Sequence, residues 1–350
     1  MGDILHALPA VTALRQAHPR WIIDWVVEPH WSPLLTAYPG FGARENHRQP
    51  VVDRIHLAAT KEWRKAPLSR RTLHEIHDLR HALDAVNYDV VIDLQGALRS
   101  AIIGRMAGSR RRIGEASPRE QAASWFFTDP VVTYGSHVIE QDIELACAIA
   151  GDQLTPVLPA LPFCSDAEAW ADSILPPDGR PAVLINPGAG WGAKRWPVER
   201  YAVVAKNLVA RDFRVLINTG PGEESLAAAI LKEAGDRADS VTALKCNLAR
   251  LIAATRRVSL AIAGDTGPLH LACALGRPVV GIYGPTDPLR NGPFGVPFKV
   301  LRHPESRRDH TRHAEPEAGL LTILPEDVLQ AADALLYPES ASKPEPEIAQ

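Results

Sequence analysis

The chain has 350 residues, a formal net charge of −3, 46% hydrophobic and 23% charged residues, and four cysteines. A near-neutral charge argues against nucleic acid as a partner, no stretch reaches the ~18 apolar residues a membrane span needs, and nothing resembles a signal peptide. Cys147, Cys164, Cys246 and Cys273 are scattered with no CxxC spacing, which fits reduced core residues of a cytoplasmic protein and points to neither a disulfide nor a metal site.

Helical patterns at 5–17, 69–86, 100–106 and 137–150 alternate with strand-like runs at 21–27, 51–57, 90–94 and 112–114. Such alternation predicts a parallel sheet with crossover helices. A proline-rich passage at 154–162 separates this half from a helix at 165–173 and predicts a domain boundary near residue 160. In the second half, the strand at 182–185 runs into Asn186-Pro187-Gly188-Ala189-Gly190-Trp191-Gly192-Ala193-Lys194. The strand at 214–218 runs into Thr219-Gly220-Pro221-Gly222-Glu223-Glu224 and a helix at 225–234. The apolar run at 258–263 breaks at Gly264-Asp265-Thr266-Gly267 and restarts as a helical pattern, Leu269, Leu271, Ala272 and Leu275, which ends at Gly276 with Pro278 behind it. The domains are therefore expected at 1–160 and 161–338, followed by a disordered tail at 339–350 rich in Pro, Glu and Ser.

Three glycine-rich loops thus leave three strand ends of one domain, the edge where doubly wound sheets bind ligands. The turn before Leu269 places unpaired N–H groups and a partial positive charge beside the Thr266 hydroxyl, which favours a phosphate. It can equally be read as the N-cap of an ordinary crossover helix. Gly188 to Lys194 lacks the ending of a P-loop, and Gly220-Pro221-Gly222 lacks the third glycine of a dinucleotide fingerprint. The loops suit a nucleotide-like anion held by neither of those motifs.

An ordered set of motifs runs through nearly the whole chain. The first half carries Met1-Gly2-Asp3-Ile4-Leu5-His6-Ala7-Leu8-Pro9-Ala10, Asp24-Trp25-Val26-Val27-Glu28, Trp63-Arg64-Lys65, Tyr88-Asp89-Val90-Val91-Ile92-Asp93-Leu94-Gln95-Gly96 and Pro118-Arg119-Glu120. The second carries Lys194-Arg195-Trp196-Pro197, Gly264-Asp265-Thr266-Gly267 with His270, and Tyr283-Gly284-Pro285-Thr286-Asp287-Pro288. Together they resemble the lipopolysaccharide heptosyltransferases, glycosyltransferase family 9, of the inverting GT-B class. Several first-half matches are most similar to the heptosyltransferase I branch.

The resemblance implies an α/β GT-B fold of two Rossmann-like doubly wound domains facing a cleft, the N-terminal one for the acceptor and the C-terminal one for the nucleotide sugar. It implies inverting, metal-independent transfer of heptose from ADP-heptose to the Kdo of a lipid A precursor, with no cofactor. Asp3 would be the general base; its other reading is a cap on a helix beginning at Ile4. Lys194, Thr266 and Gly267 would stabilise the diphosphate, Glu223 would bind ribose hydroxyls, and Asp265 would contact the sugar. His270 would face the same site, or is a core histidine. Arg64, Lys65, Arg99 and Arg119 would bind the anionic acceptor, in a half that also carries Arg70, Arg71, Arg110, Arg111 and Arg112. For each the other reading is a solvated surface charge. The basic face could also hold the enzyme at the inner face of the inner membrane.

Two departures from the family pattern stand out. The methionine of the first motif is residue 1, so the strand expected ahead of it is missing from the sequence, and the 350-residue chain is expected to fold or work poorly until upstream residues are added. The loop from Pro187 to Lys194 looks more like that of other heptosyltransferases than the threonine-bearing one of heptosyltransferase I, which leaves the heptose position open, with a heptosyltransferase II-like acceptor as the alternative. A cysteine cluster of some relatives is replaced by His303, His310 and His313, read as a solvated loop. A GT-B epimerase and a catalytically impaired nucleotide-sugar binder are the competing readings, separable by product analysis and by indifference to Asp3→Asn.

Overall fold

The apolar runs of the sequence pair as parallel strands in two separate units of the computed structural model, Met1–Cys164 and a second beginning at Ser165. The structure describes residues 1–37, 48–176, 179–234, 239–306, 308–309 and 314–338. The expected tail at 339–350, and His310 and His313, lie outside the described residues.

The first unit contains α1 (Gly2–Ala17), β1 (Asp24–Val27), β2 (Arg54–Leu57), α2 (Thr60–Lys65), α3 (Arg70–Asp84), β3 (Val90–Asp93), α4 (Leu98–Met106), β4 (Arg111–Glu115), β5 (Asp129–Val131) and α5 (Val138–Ala150). Local chemistry sets the helix ends. The Ser69 hydroxyl accepts from the Thr72 N–H at 3.1 Å to open α3. His137 Nδ1 accepts from the Ile139 N–H at 3.1 Å to open α5, which stops at the left-handed Gly151. Among the described residues β1 pairs only with β2, whereas β3, β4 and β5 form a second sheet. One small core joins α1 and α5 through Ala10, Ala13, Leu14, Ile143 and Ala146. Another joins Leu79 of α3 and Ala107 to Val26 of β1 and Val91 of β3. The Tyr88 hydroxyl, just ahead of β3, donates to Asp24 of β1 at 2.6 Å and so ties the two sheets together.

Two elements of this unit depart from expectation. β5 is three residues long, one of them a proline, and exists because Ile113, Gly114 and Glu115 pair with it. α2 has no apolar stripe; it forms where Glu28, at the end of β1, accepts from the Thr60 hydroxyl and from the Lys61 N–H at 3.0 Å. The strands at 21–27 and 51–57 are also shorter than expected, since Trp21 to Ile23 and Val51 to Asp53 stay outside the ladder.

The second unit contains α6 (Ser165–Ile174), β6 (Ala182–Asn186), α7 (Val198–Ala210), β7 (Arg214–Asn218), α8 (Glu224–Ala234), β8 (Val241–Leu244), α9 (Leu248–Arg256), β9 (Leu260–Gly264), α10 (Gly267–Ala274), β10 (Val279–Tyr283), α11 (Pro288–Asn291), β11 (Phe298–Arg302) and α12 (Pro325–Leu336). Its strands make one parallel sheet in the order β11-β10-β9-β6-β7-β8. Every residue of β6, β9 and β10 is buried, as expected for parallel strands covered by helices on both faces. Ile185 lies in register with Ile217 on one side and Ile262 on the other. Truncating any of these to alanine would cost about 2–5 kcal/mol. Arg256 and Arg257 of the α9 end both close on Glu168 of α6, so the first helix of the unit is pinned by a paired carboxylate. The winding reverses between β6 and β9, which places the switch point of the sheet at their carboxyl ends. All four cysteines are free. Burial pushes the Cys273 thiol up to about 12. Among the described residues no helix is long and apolar enough to cross a membrane.

Candidate functional site

In the second unit, the candidate donor residues meet at that switch point. The loop after β6 carries Lys194, and the loop after β9 carries Asp265 and opens α10. Lys194 Nζ donates to Asp265 Oδ2 at 2.5 Å, and His270 Nε2 lies 3.2 Å from Asp265 Oδ1. Asp265 is thus held by two partners while its side chain is only 9% exposed. Burial alone would raise its carboxyl pKa, but His270 and Lys194 together hold it well below the usual carboxylate range. His270 is buried and its ring is used on Asp265. The Lys194 ammonium also lies over the Trp191 ring, 5.3 Å from its centroid.

Thr266 is the residue that begins α10, and Gly267 is its first helical residue. Pro268 has no N–H and the Leu269 N–H donates to the Thr266 carbonyl at 3.1 Å, so the Gly267 N–H is the helix donor left at this start. The Thr266 hydroxyl donates back to the Gly264 carbonyl at 3.2 Å and accepts from Asn186 Nδ2 at 3.4 Å. Glu223 lies at the end of the loop after β7, where its Oε2 accepts from the Gly220 N–H at 3.0 Å and its Oε1 lies 3.5 Å from Arg195. A Cβ on Gly188 would come 1.9 Å from Glu223 Oε2, so any side chain there must push that carboxylate aside. Sequence reading did not single out Asn186 and Asn218. The two sit at the ends of β6 and β7, buried, with Asn218 Nδ2 donating to Asn186 Oδ1 at 2.7 Å. An amide at the last buried position of an apolar strand was the available signal.

In the first unit, Asp3 lies inside the first turn of α1 and makes no capping hydrogen bond; the helix opens at Gly2, not Ile4. Its side chain is 51% exposed. Gln95 Nε2 donates to Asp3 Oδ2 at 2.8 Å, and the Arg119 guanidinium stands 3.8 Å from the same oxygen. Gln95 is a contact that the sequence motif contained but did not identify. It is aimed by a tight turn in which Asp93 Oδ1 accepts from the N–H groups of Gln95 and Gly96 at 2.8 and 3.0 Å. Gly96 has φ +62°, and a Cβ there would press on the Arg119 N–H, 3.0 Å away. Burial pushes the Asp93 carboxyl up, against the pull of the hydrogen bonds from Gln95, Ser100 and Gly96. Burial lowers the Met1 ammonium to about 6, with Asp3 opposing the shift and Lys61 adding to it.

The candidate acceptor residues do not all meet. Arg119 joins Asp3, and Arg99 is exposed in the first turn of α4, after β3. Arg64 and Lys65 lie in the last turn of α2, after β2, where both are exposed and Lys65 pairs with Glu62 at 2.8 Å. All four follow carboxyl ends of parallel strands. Asp142 of α5 was also not anticipated. It is buried, its Oδ2 has no hydrogen-bond partner among the described residues, and burial, with Glu115, Asp3 and Asp93 nearby, drives its carboxyl pKa well above the ordinary value. His303 is half-buried in a turn, where its Nδ1 accepts from the Glu305 N–H at 3.3 Å.

Residues 76–320 match the model of a family described as glycosyltransferase family 9 (heptosyltransferase). The chain is 32% identical to lipopolysaccharide heptosyltransferase 1 of Escherichia coli strain K12, over 87% of this chain and 91% of that protein. The structure of E. coli heptosyltransferase WaaC with ADP superposes with a TM-score of 0.76 at 26% identity, covering 96% of this chain and 97% of that one. The same enzyme with ADP-2-deoxy-2-fluoro heptose gives 0.73 at 28% identity, covering 95% and 96%. The two Rossmann-like α/β units of the GT-B class expected from the sequence are the fold of these enzymes.

Proposed function

Because the chain belongs to glycosyltransferase family 9, the heptosyltransferases, we propose that it moves heptose from ADP-L-glycero-D-manno-heptose to the Kdo of a lipid A precursor, with inversion and without a metal ion. The observation that carries this reading is the Lys194–Asp265–His270 group at the start of α10. A fixed ammonium beside the positive end of α10, where the Gly267 N–H faces outward from the helix, can absorb the charge that grows on a departing diphosphate. Asp265 keeps the ammonium in place without consuming all three of its donors. Glu223, with its carboxylate set by Gly220, would accept from ribose hydroxyls. The ADP and ADP-heptose analogue held by the structural relatives support this choice of donor.

On the acceptor side, Asp3 would take the proton of the attacking hydroxyl as it adds to the anomeric carbon opposite the leaving ADP. Gln95 would orient that carboxylate, and Arg119 would place a carboxylate or phosphate of the acceptor beside it. Arg64, Lys65 and Arg99 supply further exposed cations for a polyanionic lipid. In this reading the first unit serves the acceptor and the second the donor, and the enzyme works in the cytoplasm at the inner face of the inner membrane.

The test is heptose transfer from ADP-heptose to Kdo-lipid A, followed by mass spectrometry, for wild type and Asp3→Asn, with ADP binding measured in parallel. Transfer that collapses in the variant while ADP still binds supports the reading. ADP binding with no transfer to this acceptor, but transfer to a heptosylated one, would move the activity to a later heptose position.

A further inference from the structure

The segment from Pro118 to Phe126 packs beside α4 and is fastened at both ends. At its start, the Glu120 N–H donates to the Gly96 carbonyl at 2.9 Å and Glu120 Oε2 accepts from the Leu98 N–H at 2.9 Å, beside the N-terminus of α4. At its end, Arg112 Nε, near the start of β4, donates to the Phe126 carbonyl at 2.7 Å. Since α4 itself runs from the end of β3 toward the start of β4, the segment descends beside it in the same direction. Ala123 turns inward and is fully buried, whereas Trp125 is 82% exposed.

The outer face of α4 has matching chemistry. Arg99, Ile102 and Arg105 are all exposed and recur at intervals of three, which puts them on one side of the helix. Arg119 is exposed on the segment itself. The one exposed acid of the segment, Glu120, is bonded to the Leu98 N–H. Two adjoining elements thus expose an indole, an isoleucine and three guanidinium groups. A water-facing surface gains nothing from such a group held in place, whereas a lipid headgroup layer takes amphipathic aromatics and guanidinium groups together.

We infer that the face formed by α4 and residues 118–126 docks on an anionic bilayer, with Trp125 and Ile102 entering the headgroup region and Arg99, Arg105 and Arg119 on its phosphates. The inference rests on the proposed function for its purpose, because Arg119 lies at the Asp3 end of this face and docking there brings a lipid-borne acceptor to the base. The docking itself needs only the surface. Cations near an anionic leaflet are attracted over a distance that salt shortens, so binding is salt-dependent.

The full chain would be sedimented with vesicles of phosphatidylcholine and phosphatidylglycerol at 3:1, and with phosphatidylcholine alone. Wild type is expected to partition at least about tenfold more strongly onto the anionic vesicles at 0.1 M salt. Trp125→Gln should lower that partition about tenfold, and Ile102→Gln and Arg105→Gln several-fold each, with ADP binding unchanged. Equal partition of wild type and variants, or no partition at all, overturns the inference. So does self-association in vesicle-free solution that Trp125→Gln abolishes without vesicle binding, which would assign the face to a second copy of the chain. Transfer to a deacylated, soluble acceptor separates the two proposals: its loss in wild type strikes the proposed function and leaves vesicle docking standing.

Discussion

The two units are built from the same alternation of strand and helix yet bury their strands differently. In the second, β6, β9 and β10 are buried at every residue within one six-stranded sheet. In the first, β1 and β3 each bury only their last residue, and the sheet is divided into two. The candidate sites follow suit. Lys194 and His270 both bond the largely buried Asp265 on a closed core, whereas Asp3 is half-exposed, with one hydrogen bond from Gln95 and Arg119 at 3.8 Å. The second unit holds its candidate residues in a closed core and the first leaves them more open, which under the proposed function would mean a donor half arranged in advance and a more adaptable acceptor half.

The largest expected effect is on chemistry alone. Asp3→Asn should lower heptose transfer by about 10²–10⁴-fold and leave ADP affinity unchanged, measured by turnover and by calorimetry. A parallel loss of ADP binding would mean that the two halves are not separable in this way. Next, amide hydrogen exchange in β1 and β3 should run roughly a hundredfold faster than in β6 and β9, since local opening follows buried contact. Equal protection would remove the contrast altogether. Third, Lys194→Ala strands a buried carboxylate, so it should destabilise the second unit by about 3 kcal/mol and weaken ADP binding at least tenfold. Asp265→Asn in the same background should recover part of the stability but none of the binding.

The smallest effect sharpens the contrast through pH. The folded-state pKa of Asp265 is depressed, so its stabilisation is present above the ordinary carboxylate range, near ~4, and is lost as the pH falls toward its folded-state pKa. Asp142 behaves in the opposite sense. Its folded-state pKa is raised, so its contribution is full below ~4 and is lost as the pH climbs through its folded-state value. Mild acid should therefore favour the first unit while more extreme acid weakens the second. At pH 7, Asp142→Asn should raise the melting temperature of the first unit by about 2–4 °C, and it should flatten that unit's pH dependence. A melting temperature that falls would show the ionised carboxylate to be held by a favourable contact.

What the sequence made legible was whatever is local. The strand at 214–218 is β7 as observed, and Ser69 and His137 marked the starts of α3 and α5 because their side chains cap the very next turn. Elements completed from a distance were not legible. α2 has no apolar periodicity and starts on a carboxylate from 32 residues upstream in the chain, and β5 is a strand only because β4 lies beside it. The site shows the same limit. The family motifs named Asp3, Lys194 and Asp265, but the Gln95–Asp3 contact joins residues 92 apart and the Lys194–Asp265 pair residues 71 apart. Asp142 carries no motif at all, and only its isolation inside the fold marks it out.

The close approach of Gly188 to Glu223 bears on how such a loop can diverge. Any side chain at 188 would displace the carboxylate that fixes the Gly220 N–H, so the two positions are free to drift only as a pair. Glu223 is the end of a flexible side chain, which can swing aside without disturbing the sheet. A lone replacement of Gly188 would therefore leave a folded protein with a displaced Glu223 carboxylate, the ribose contact of the proposed function. Among descendants of this chain, the donor loop should change in correlated steps with residue 223, and a binding defect would be the first mark of a step taken alone.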